Sequence, residues 1–586
     1  MRCCSVQVRL LCFLSVAHAA PSTFCNPVNV NYRFSKVKPS HREAADPTMV
    51  VHNGTYWLFA SKSGGYWHST DMSNWHLVVP TGLPLEDYAP MVVVLNGKFY
   101  YTAFDSGAIY STVDPYEGNW SKVANISKYA DPGMLVDSDS KVYMYSGCAS
   151  NGTIKAVELD SDTWQEVGNI TVDAVVPDSQ RRGFEVTGDN NELTSHKPFV
   201  EGAFMNKIDG KYYLQYAVPG TEYRSYADGL FVGDSPKGPF HFQPHSPMSS
   251  KPTGFAAGAG HSSTYQDPKN GNYYHISTST ISIRHLFERR LGIYPVNHDS
   301  QNGLLWVDTY LGDYPHLLPH AVQASSTVIG QVATPQWMLL SLNKRAYASS
   351  GQKPEFAFNE DIRNWWSADT GNKGEWLQVD LHGTFTVKSV QINFADEGCD
   401  IVGERPSAQD VYKYVLEYCT FFDMHGNVCK WKTVDAFNRS TNTQDAPHDY
   451  IELPSPLTGV THMRITNLHM PGRSKFSISG FRIFGIGPEG GSAPAAVAAD
   501  SVKVERSAED QRHVKLTWPA ASGAEFYVIR YGPTANHYSL VHNYQVFSPT
   551  ADIRSLVQGV EYDFVVDAVN SNGITFGKLG EQVAFV

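Results

Sequence analysis

One strand hairpin is written five times into the first half of this 586-residue chain, and a repeated hairpin has few ways to bury itself. The copies run Asp46-Pro47-Thr48-Met49-Val50-Val51 to Tyr56-Trp57; Ala89-Pro90-Met91-Val92-Val93-Val94 to Phe99-Tyr100-Tyr101; Asp131-Pro132-Gly133-Met134-Leu135-Val136 to Val142-Tyr143; Glu201-Gly202-Ala203-Phe204-Met205 to Tyr212-Tyr213; and His261-Ser262-Ser263-Thr264-Tyr265 to Tyr273-Tyr274. Each opens on a polar or Ala-Pro anchor, continues as an apolar run, turns, and returns as an aromatic strand. Asn53-Gly54, Asn96-Gly97, Asp209-Gly210 and Asn270-Gly271 are strong hairpin signals, because these residues accept the left-handed backbone of a type I′ turn. The chain between hairpins also repeats, as Ser69-Thr70-Asp71-Met72-Ser73-Asn74-Trp75, as Ser111 to Trp120, and as Gly233 to Phe240. A small sheet cannot cover both its faces alone, so copies spaced by roughly 40 to 70 residues are expected to pack radially as blades around a channel. The expectation is an all-β, five-bladed propeller over residues 20–320. An array of sandwiches gives no reason to restart each unit on a polar anchor.

The inner strand of each blade starts at one rim of the channel, so anchors far apart in sequence converge there. Those anchors include Asp46, Asp131, Glu201 and His261. Taken singly, an Asp-Pro is commonly a turn former and a histidine commonly a structural hydrogen-bonding residue. Taken together they need another reason, since three carboxyls in one hollow lose solvation and repel each other. Cleavage of a glycosidic bond supplies one: a carboxylic acid protonates the leaving oxygen while a carboxylate activates water or attacks carbon. A third carboxylate holds the proton on the acid and orients it.

The remaining bulk features narrow the setting. Net charge is −12, which argues against a nucleic-acid partner, because phosphate binding needs a basic surface. Arg2 and Arg9, the short apolar run Leu10 to Val16, and Ala17-His18-Ala19 read as a signal peptide over residues 1–19, too short an apolar run for a membrane span. No later stretch is long and apolar enough for a membrane helix. Six Asn-x-Ser/Thr sequons, at Asn53, Asn119, Asn125, Asn151, Asn169 and Asn438, agree with a secreted, extracellular protein. Five cysteines follow the signal segment: Cys419 and Cys429 flank a short loop and are one candidate disulfide, Cys25–Cys148 is a second, and one thiol is left over. No Cys/His spacing resembles a zinc site.

The quoted anchors resemble glycoside hydrolase family 43, the five-bladed propeller enzymes of the β-xylosidase, α-L-arabinofuranosidase and arabinanase group. The resemblance covers roughly residues 40–315. It rests on Ala45-Asp46-Pro47, Ala130-Asp131-Pro132, Val200-Glu201-Gly202, Gly258-Ala259-Gly260-His261-Ser262-Ser263 and the outer-strand phrases around Trp75 and Phe240. It implies Asp46 as general base, Asp131 as the residue that tunes and orients the acid, and Glu201 as general acid. It also implies inversion of configuration, with a base-to-acid gap of roughly 6.5–9.5 Å. His261 resembles a channel histidine that helps hold a central calcium ion or a water; no cofactor is required for the chemistry. Trp67, with Trp57, is a candidate sugar-stacking wall, blade packing being the competing reading, and Arg284 is a candidate contact for substrate hydroxyls. Two departures bear on the substrate subgroup: Ala89-Pro90-Met91 lacks the acidic residue many members carry after the proline, and Glu201-Gly202-Ala203 replaces the commoner Glu-Gly-Pro.

After Pro315 the anchors stop. Residues 338–487 alternate strands with Gly and Asn turns, as expected of a β-sandwich. Their phrases Asn364-Trp365-Trp366-Ser367-Ala368, Glu375-Trp376-Leu377-Gln378-Val379-Asp380-Leu381 and Ser479-Gly480-Phe481-Arg482-Ile483-Phe484-Gly485 resemble the discoidin or factor 5/8 C-terminal fold. A carbohydrate-binding role and a structural role stand level for that unit. Residues 488–499 read as a linker by composition. Residues 500–586, with Trp518, Tyr527 to Tyr531, and Tyr562 six residues after Leu556, resemble a fibronectin type III sandwich with its tyrosine corner.

Two functions follow. One is a secreted, inverting glycosidase of β-xylosidase or α-L-arabinofuranosidase type acting on plant cell-wall polysaccharide or its oligosaccharides. The other is a non-catalytic extracellular carbohydrate-binding or adhesion protein on a retired propeller. The intact Asp46, Asp131 and Glu201 favour the first.

Overall fold

Five antiparallel sheets, each with four strands in chain order and the fourth sheet extended by the two-residue strands Ala149–Ser150 and Ser249–Ser250, follow one another in a computed structural model of the chain, which describes residues 21–168, 172–322, 334–423, 428–536 and 540–579. The signal segment expected at 1–19, the sequon at Asn169 and most of the loop between Cys419 and Cys429 lie outside those residues. Blade one is Thr48–His52, Thr55–Phe59, Tyr66–Ser69 and His76–Val78, and blade two is Met91–Leu95, Lys98–Thr102, Ala108–Thr112 and Ser121–Asn125. Blade three comprises Gly133–Val136, Val142–Ser146, Ile154–Leu159 and Val172–Val175. Blade four comprises Phe199–Ile208, Lys211–Val218, Ala227–Gly233 and Phe240–Phe242; blade five comprises Ala257–Gln266, Tyr273–Thr280, Arg289–Asp299 and Leu304–Val307. This is the five-bladed propeller arrangement. Within each blade the strands come in chain order.

The sequence-level reasons are visible in the backbone. Asn53-Gly54, Asn96-Gly97 and Asp209-Gly210 all have positive φ at both positions, as a type I′ turn demands. Asn270-Gly271 does not form a two-residue hairpin; the turn runs from Asp267 to Asn272, closed by Asp267 N–H on the Asn272 carbonyl at 2.8 Å. Apolar faces seal blade to blade: Met49, Tyr56 and Leu58 pack against Tyr274, Ile276 and Leu291, while Trp57, Phe59 and Tyr66 pack against Phe99, Tyr101 and Trp120. The five anchors share one device. Asp46, Ala89, Asp131 and His261 enter their strands in the left-handed region, with φ of 51°, 46°, 45° and 44°, and in blade four that position is Gly202 at 59°. The side chain of a left-handed residue leaves the strand at an angle extended backbone does not offer. Aspartate tolerates this conformation better than most residues.

The second unit is an eight-stranded arrangement built on two long bent strands, Trp376–Phe394 and His448–His469, that pair with each other and close over a core of Trp366, Val379, Val390, Leu416, Ile465 and Phe481. The third has one three-stranded and one four-stranded sheet, with Trp518 and Tyr527 between them and the Tyr562 hydroxyl accepting from Val557 N–H at 3.0 Å. The stretch expected as a linker is docked rather than free: Val497 is buried in the third unit's core, and the Pro494 and Ser492 carbonyls accept from Thr575 and Asn570. Small residues looked like a tether but serve close packing.

Both sandwiches are joined to the propeller by buried polar contacts. Arg482 of the second unit donates to Glu360 at 2.8 and 2.7 Å and to the Asp313 carbonyl at 2.6 Å, beside the Lys251–Asp313 ion pair. Arg42 of the propeller pairs with Asp396 and Asp445, and Arg290 donates to His448. Gly183 N–H bonds the Leu556 carbonyl of the third unit at 2.8 Å, and Tyr310 donates to Asp567. Breaking a buried pair by removing one partner costs about 3–5 kcal/mol, so these contacts fix the domains rather than tether them. Cys419 and Cys429 form a disulfide. Cys25 and Cys148 do not: both are free thiols, Cys25 donating to the Asp313 carbonyl at 2.9 Å at the domain seam and Cys148 facing Glu201 in the channel.

Candidate active site

The anchors of blades one, three, four and five meet at the axis. His261 Nδ1 lies 3.3 Å from Asp46 Oδ1 and 3.6 Å from Asp131 Oδ2. Asp131, Glu201 and His261 each offer an atom within 4.8 Å of the others. The His261 ring is held from behind, where its backbone N–H donates to Asp228 Oδ1 at 2.9 Å, and it leans on Gly202, where a Cβ would come 2.7 Å from the ring. Gly202 thus has two reasons to be glycine: its φ and this close approach.

Each carboxyl has its own environment. Asp46 accepts from Arg289 Nη1 at 3.0 Å and from the Ser61 hydroxyl at 2.6 Å. The second nitrogen of that guanidinium holds Glu43 at 3.0 Å, and the Ser61 oxygen in turn accepts the Ala89 N–H at 2.7 Å. Blade two therefore contributes backbone geometry where the other blades contribute side chains. Burial pushes the Asp46 carboxyl up, but Arg289, His261 and Ser61 outweigh it and keep it below the usual carboxylate range. Glu201 accepts from the Tyr226 hydroxyl at 2.5 Å and from Cys148 Sγ at 3.4 Å; burial dominates there, and its carboxyl stays above the usual range despite His261 and Tyr226. Asp131 is pushed up to about 7 by burial, then by the negative charges of Glu201 and Asp46, against the pull of His261. Burial disfavours the His261 cation, yet the three carboxyls raise its pKa overall. Asp46 is thus held below the ordinary carboxylate range while Glu201 and Asp131 are held above it, the division of labour that acid–base cleavage requires.

Two sequence expectations are corrected. Trp67 cannot stack on a sugar: it is 0% exposed, packs in the blade-one and blade-five core, and donates Nε1–H to Asn31 at 2.6 Å. Trp57 is equally buried between blades one and two. Arg284 is not at the carboxyls; it donates to Glu288 at 2.8 Å and to the Ala395 carbonyl of the second unit, and borders a separate cavity. The residues the sequence did not disclose are Arg289, Tyr226, Ser61 and Cys148, together with an aromatic pair. Tyr88 and Phe287 are half-buried, 5.4 Å apart, and Phe287 lies under the Arg289 guanidinium at 4.8 Å, which places apolar ring surface beside Asp46. Only Arg289 had a signal: Arg289-Arg290 opens a strand that continues as Leu291-Gly292-Ile293-Tyr294, and buried arginines must be paired.

The set fits a directly bound calcium ion poorly. Calcium takes six to eight oxygens. Here a thiol and an imidazole stand among the carboxyls, and Glu201 is already engaged by Tyr226 and Cys148. No step below is routed through a metal.

Two stretches of the chain match known families. Residues 40–302 match the profile of glycosyl hydrolases family 43, and residues 341–479 match the F5/8 type C domain. The chain is 24% identical over 313 residues to an arabinoxylan arabinofuranohydrolase of Paenibacillus polymyxa, covering 41% of this chain and 46% of that one. It is 26% identical over 258 residues to a beta-xylosidase of Xylanibacter ruminicola, covering 34% of this chain and 78% of that one. The chain thus spans less than half the length of the Paenibacillus relative. Among solved structures, a glycoside hydrolase aligns over 75% of this chain and 97% of its own with a TM-score of 0.43 at 18% identity.

Proposed function

We propose that this chain, which carries a glycosyl hydrolases family 43 domain over residues 40–302 and an F5/8 type C domain over residues 341–479, is a secreted glycosidase that removes β-xylosyl or α-L-arabinofuranosyl units from plant-type polysaccharide with inversion. One observation carries the reading: oppositely tuned carboxyls stand around a single histidine, Asp46 held below the usual carboxylate range by Arg289 and Glu201 held above it by burial. A terminal sugar fills the hollow, with Tyr88 and Phe287 as its apolar wall. Asp46 takes a proton from water as the water attacks the anomeric carbon. Glu201 gives its proton to the departing oxygen. Asp131 shares that proton between turnovers and orients the acid, and Tyr226 and Cys148 fix the Glu201 carboxyl from two sides. The names of the two relatives support the choice of pentose.

Secretion is part of the reading. The five described sequon asparagines, Asn53, Asn119, Asn125, Asn151 and Asn438, are all exposed, and among the described residues no helix is long and apolar enough to cross a membrane. The third unit we read as a fibronectin type III sandwich, supported by its three-plus-four strand arrangement, the buried Trp518 and the Tyr562 corner bond. The test is a panel of chromogenic xylosides, arabinofuranosides and galactofuranosides with plant polysaccharides, run on the full chain and on Glu201→Ala. Turnover lost in the variant supports the reading. Turnover absent in the parent, or unchanged in the variant, overturns it.

A further inference from the structure

A polar layer lies behind the reaction centre where the repeat calls for an apolar one. In blades one to four the third residue after the left-handed position faces an apolar partner on the next strand: Met49–Leu58, Val92–Tyr101, Met134–Met144 and Met205–Leu214. The equivalent pair of blade five is Thr264–His275. Both are buried, and two more buried polar residues meet them from blade four, Gln215 and Asp228. Four polar side chains at a blade seam lose solvation that methionine and leucine never had, so packing alone does not account for them.

Their contacts do. His261 stands in the left-handed region with φ of 44°, an uncommon place for a residue with a ring, and its surroundings must hold it there. Its backbone N–H donates to Asp228 Oδ1 at 2.9 Å. The other Asp228 oxygen accepts from Gln215 Nε2 at 3.3 Å and faces His275 Nε2 at 3.5 Å, the one ionisable partner of Asp228 within 4.0 Å among the described residues. Hydrogen-bond directions then settle where the protons are. Gln215 Nε2 also donates to the Ser262 carbonyl at 2.8 Å, which leaves Gln215 Oε1 to accept the Thr264 hydroxyl proton at 3.0 Å. The Thr264 oxygen, 2.8 Å from His275 Nδ1, can therefore only accept, and Nδ1 carries a proton. Nε2 has no hydrogen-bond partner of its own: a lone pair there would face a carboxylate, whereas a proton makes an imidazolium–carboxylate pair.

We propose that Asp228 and His275 are a buried ion pair that positions His261 from behind, and that both are positioning residues of the hydrolytic centre. The inference rests on the reading of the hollow as that centre. Both side chains are 0% exposed, out of reach of a sugar, so they act through His261, whose Nδ1 lies 3.3 Å from Asp46 and 3.6 Å from Asp131. Blade five replaces the apolar pair because its anchor alone is an imidazole that has to stay among three carboxyls.

Four variants, all as full chains, test this on a 4-nitrophenyl glycoside that the parent cleaves: Asp228→Asn, Asp228→Ala, His275→Gln and the double Asp228→Asn/His275→Gln. Asparagine keeps an oxygen for the His261 N–H and offers Nδ2–H to an uncharged His275; alanine keeps neither; His275→Gln leaves the Asp228 charge without a cation. The expected result is a fall in kcat per folded molecule on the order of 10²-fold in Asp228→Ala and in His275→Gln, with KM little changed. Their acidic limb of kcat/KM moves to higher pH, because a displaced His261 no longer helps hold Asp46 below its range. Asp228→Asn stays within about tenfold of the parent, and adding it to His275→Gln recovers about tenfold in kcat. Asp228→Asn as damaging as Asp228→Ala, a double variant no faster than His275→Gln, or losses that follow melting temperature with the limb unmoved overturn the proposal. If His275→Gln does not fold, the contrast between Asp228→Ala and Asp228→Asn decides alone. If the parent turns over no glycoside, the hydrolase reading falls, and crystal structures decide the support separately. A His261 ring displaced in Asp228→Ala and in place in Asp228→Asn supports it, and a ring unmoved in both overturns it.

Discussion

Replacing Arg289 by methionine removes the one full positive charge that touches Asp46. The guanidinium is buried between two buried carboxyls, 3.0 Å from each. It is the largest influence that lowers the Asp46 pKa, standing directly against the burial that raises it. Breaking a buried pair costs about 3–5 kcal/mol; if roughly half of that falls on Asp46, at 1.36 kcal/mol per unit, its pKa climbs by about 1–2 units. The sign is fixed by the direction of the native shift. A base kept below its ordinary range sets the acidic limb of the rate profile at low pH, so losing its cation moves that limb to higher pH. The assay is kcat/KM for a 4-nitrophenyl glycoside from pH 3 to 9, with melting curves to confirm that the variant folds and Arg289→Lys as a variant that restores charge without the second hydrogen bond. The reasoning predicts an acidic limb shifted upward by about 1–2 units in Arg289→Met and by less in Arg289→Lys. A uniform loss of rate with the limb unmoved would refute it, leaving Arg289 a substrate contact and Asp46 something other than the base.

Four further substitutions have expected outcomes. Glu201→Gln lowers kcat about 10²–10⁴-fold on natural oligosaccharides and much less on glycosides with acidic leaving groups, which steady-state kinetics on a leaving-group series will show. Asp131→Asn shifts the basic limb to lower pH, because a like charge that helped hold the proton is gone. The same change stabilises the fold: the native carboxyl is raised to about 7, so the wild type loses stability as pH climbs from its unfolded pKa near 4 through 7, and the variant does not. The gain, read by chemical denaturation, is absent below about pH 4 and on the order of 4 kcal/mol above pH 7. Trp67→Ala destabilises by about 3–5 kcal/mol while KM in the surviving folded protein is unchanged, since the ring touches core rather than sugar. Arg482→Met strands Glu360 at the domain seam and costs about 3–5 kcal/mol; calorimetry shows the propeller and second unit melting together at a lower temperature.

What the sequence disclosed was whatever repetition made comparable. Asp46 and Asp131 are recognisable because both precede proline at the start of an apolar run, and Glu201 because its hairpin aligns with theirs. The structure adds that Glu201 stands one residue earlier than its counterparts, with Gly202 taking the left-handed position. Arg289 has no counterpart in other blades, so no repeat exposes it, although two adjacent arginines in an apolar strand demanded partners. Ser61 and Tyr226 carried no signal, because a hydroxyl in a loop looks alike whether it faces solvent or a carboxyl. Trp67 misled because blade aromatics alternate between seam and rim with no local mark of which. Cysteine positions 25 and 148 misled because spacing says nothing about which face of a propeller each reaches. The Gly/Ala/Pro stretch before residue 500 misled because small residues serve flexible and tightly docked backbone equally well.

The central claim is that water, activated by Asp46, attacks from the face opposite the bond that Glu201 protonates. Proton NMR of the first sugar released from a β-xyloside or an α-L-arabinofuranoside tests it within the first turnovers, before mutarotation. The account predicts that the free sugar appears first as the anomer opposite to that of the substrate. First appearance of the same anomer would mean a covalent intermediate on one of these carboxyls and would contradict it.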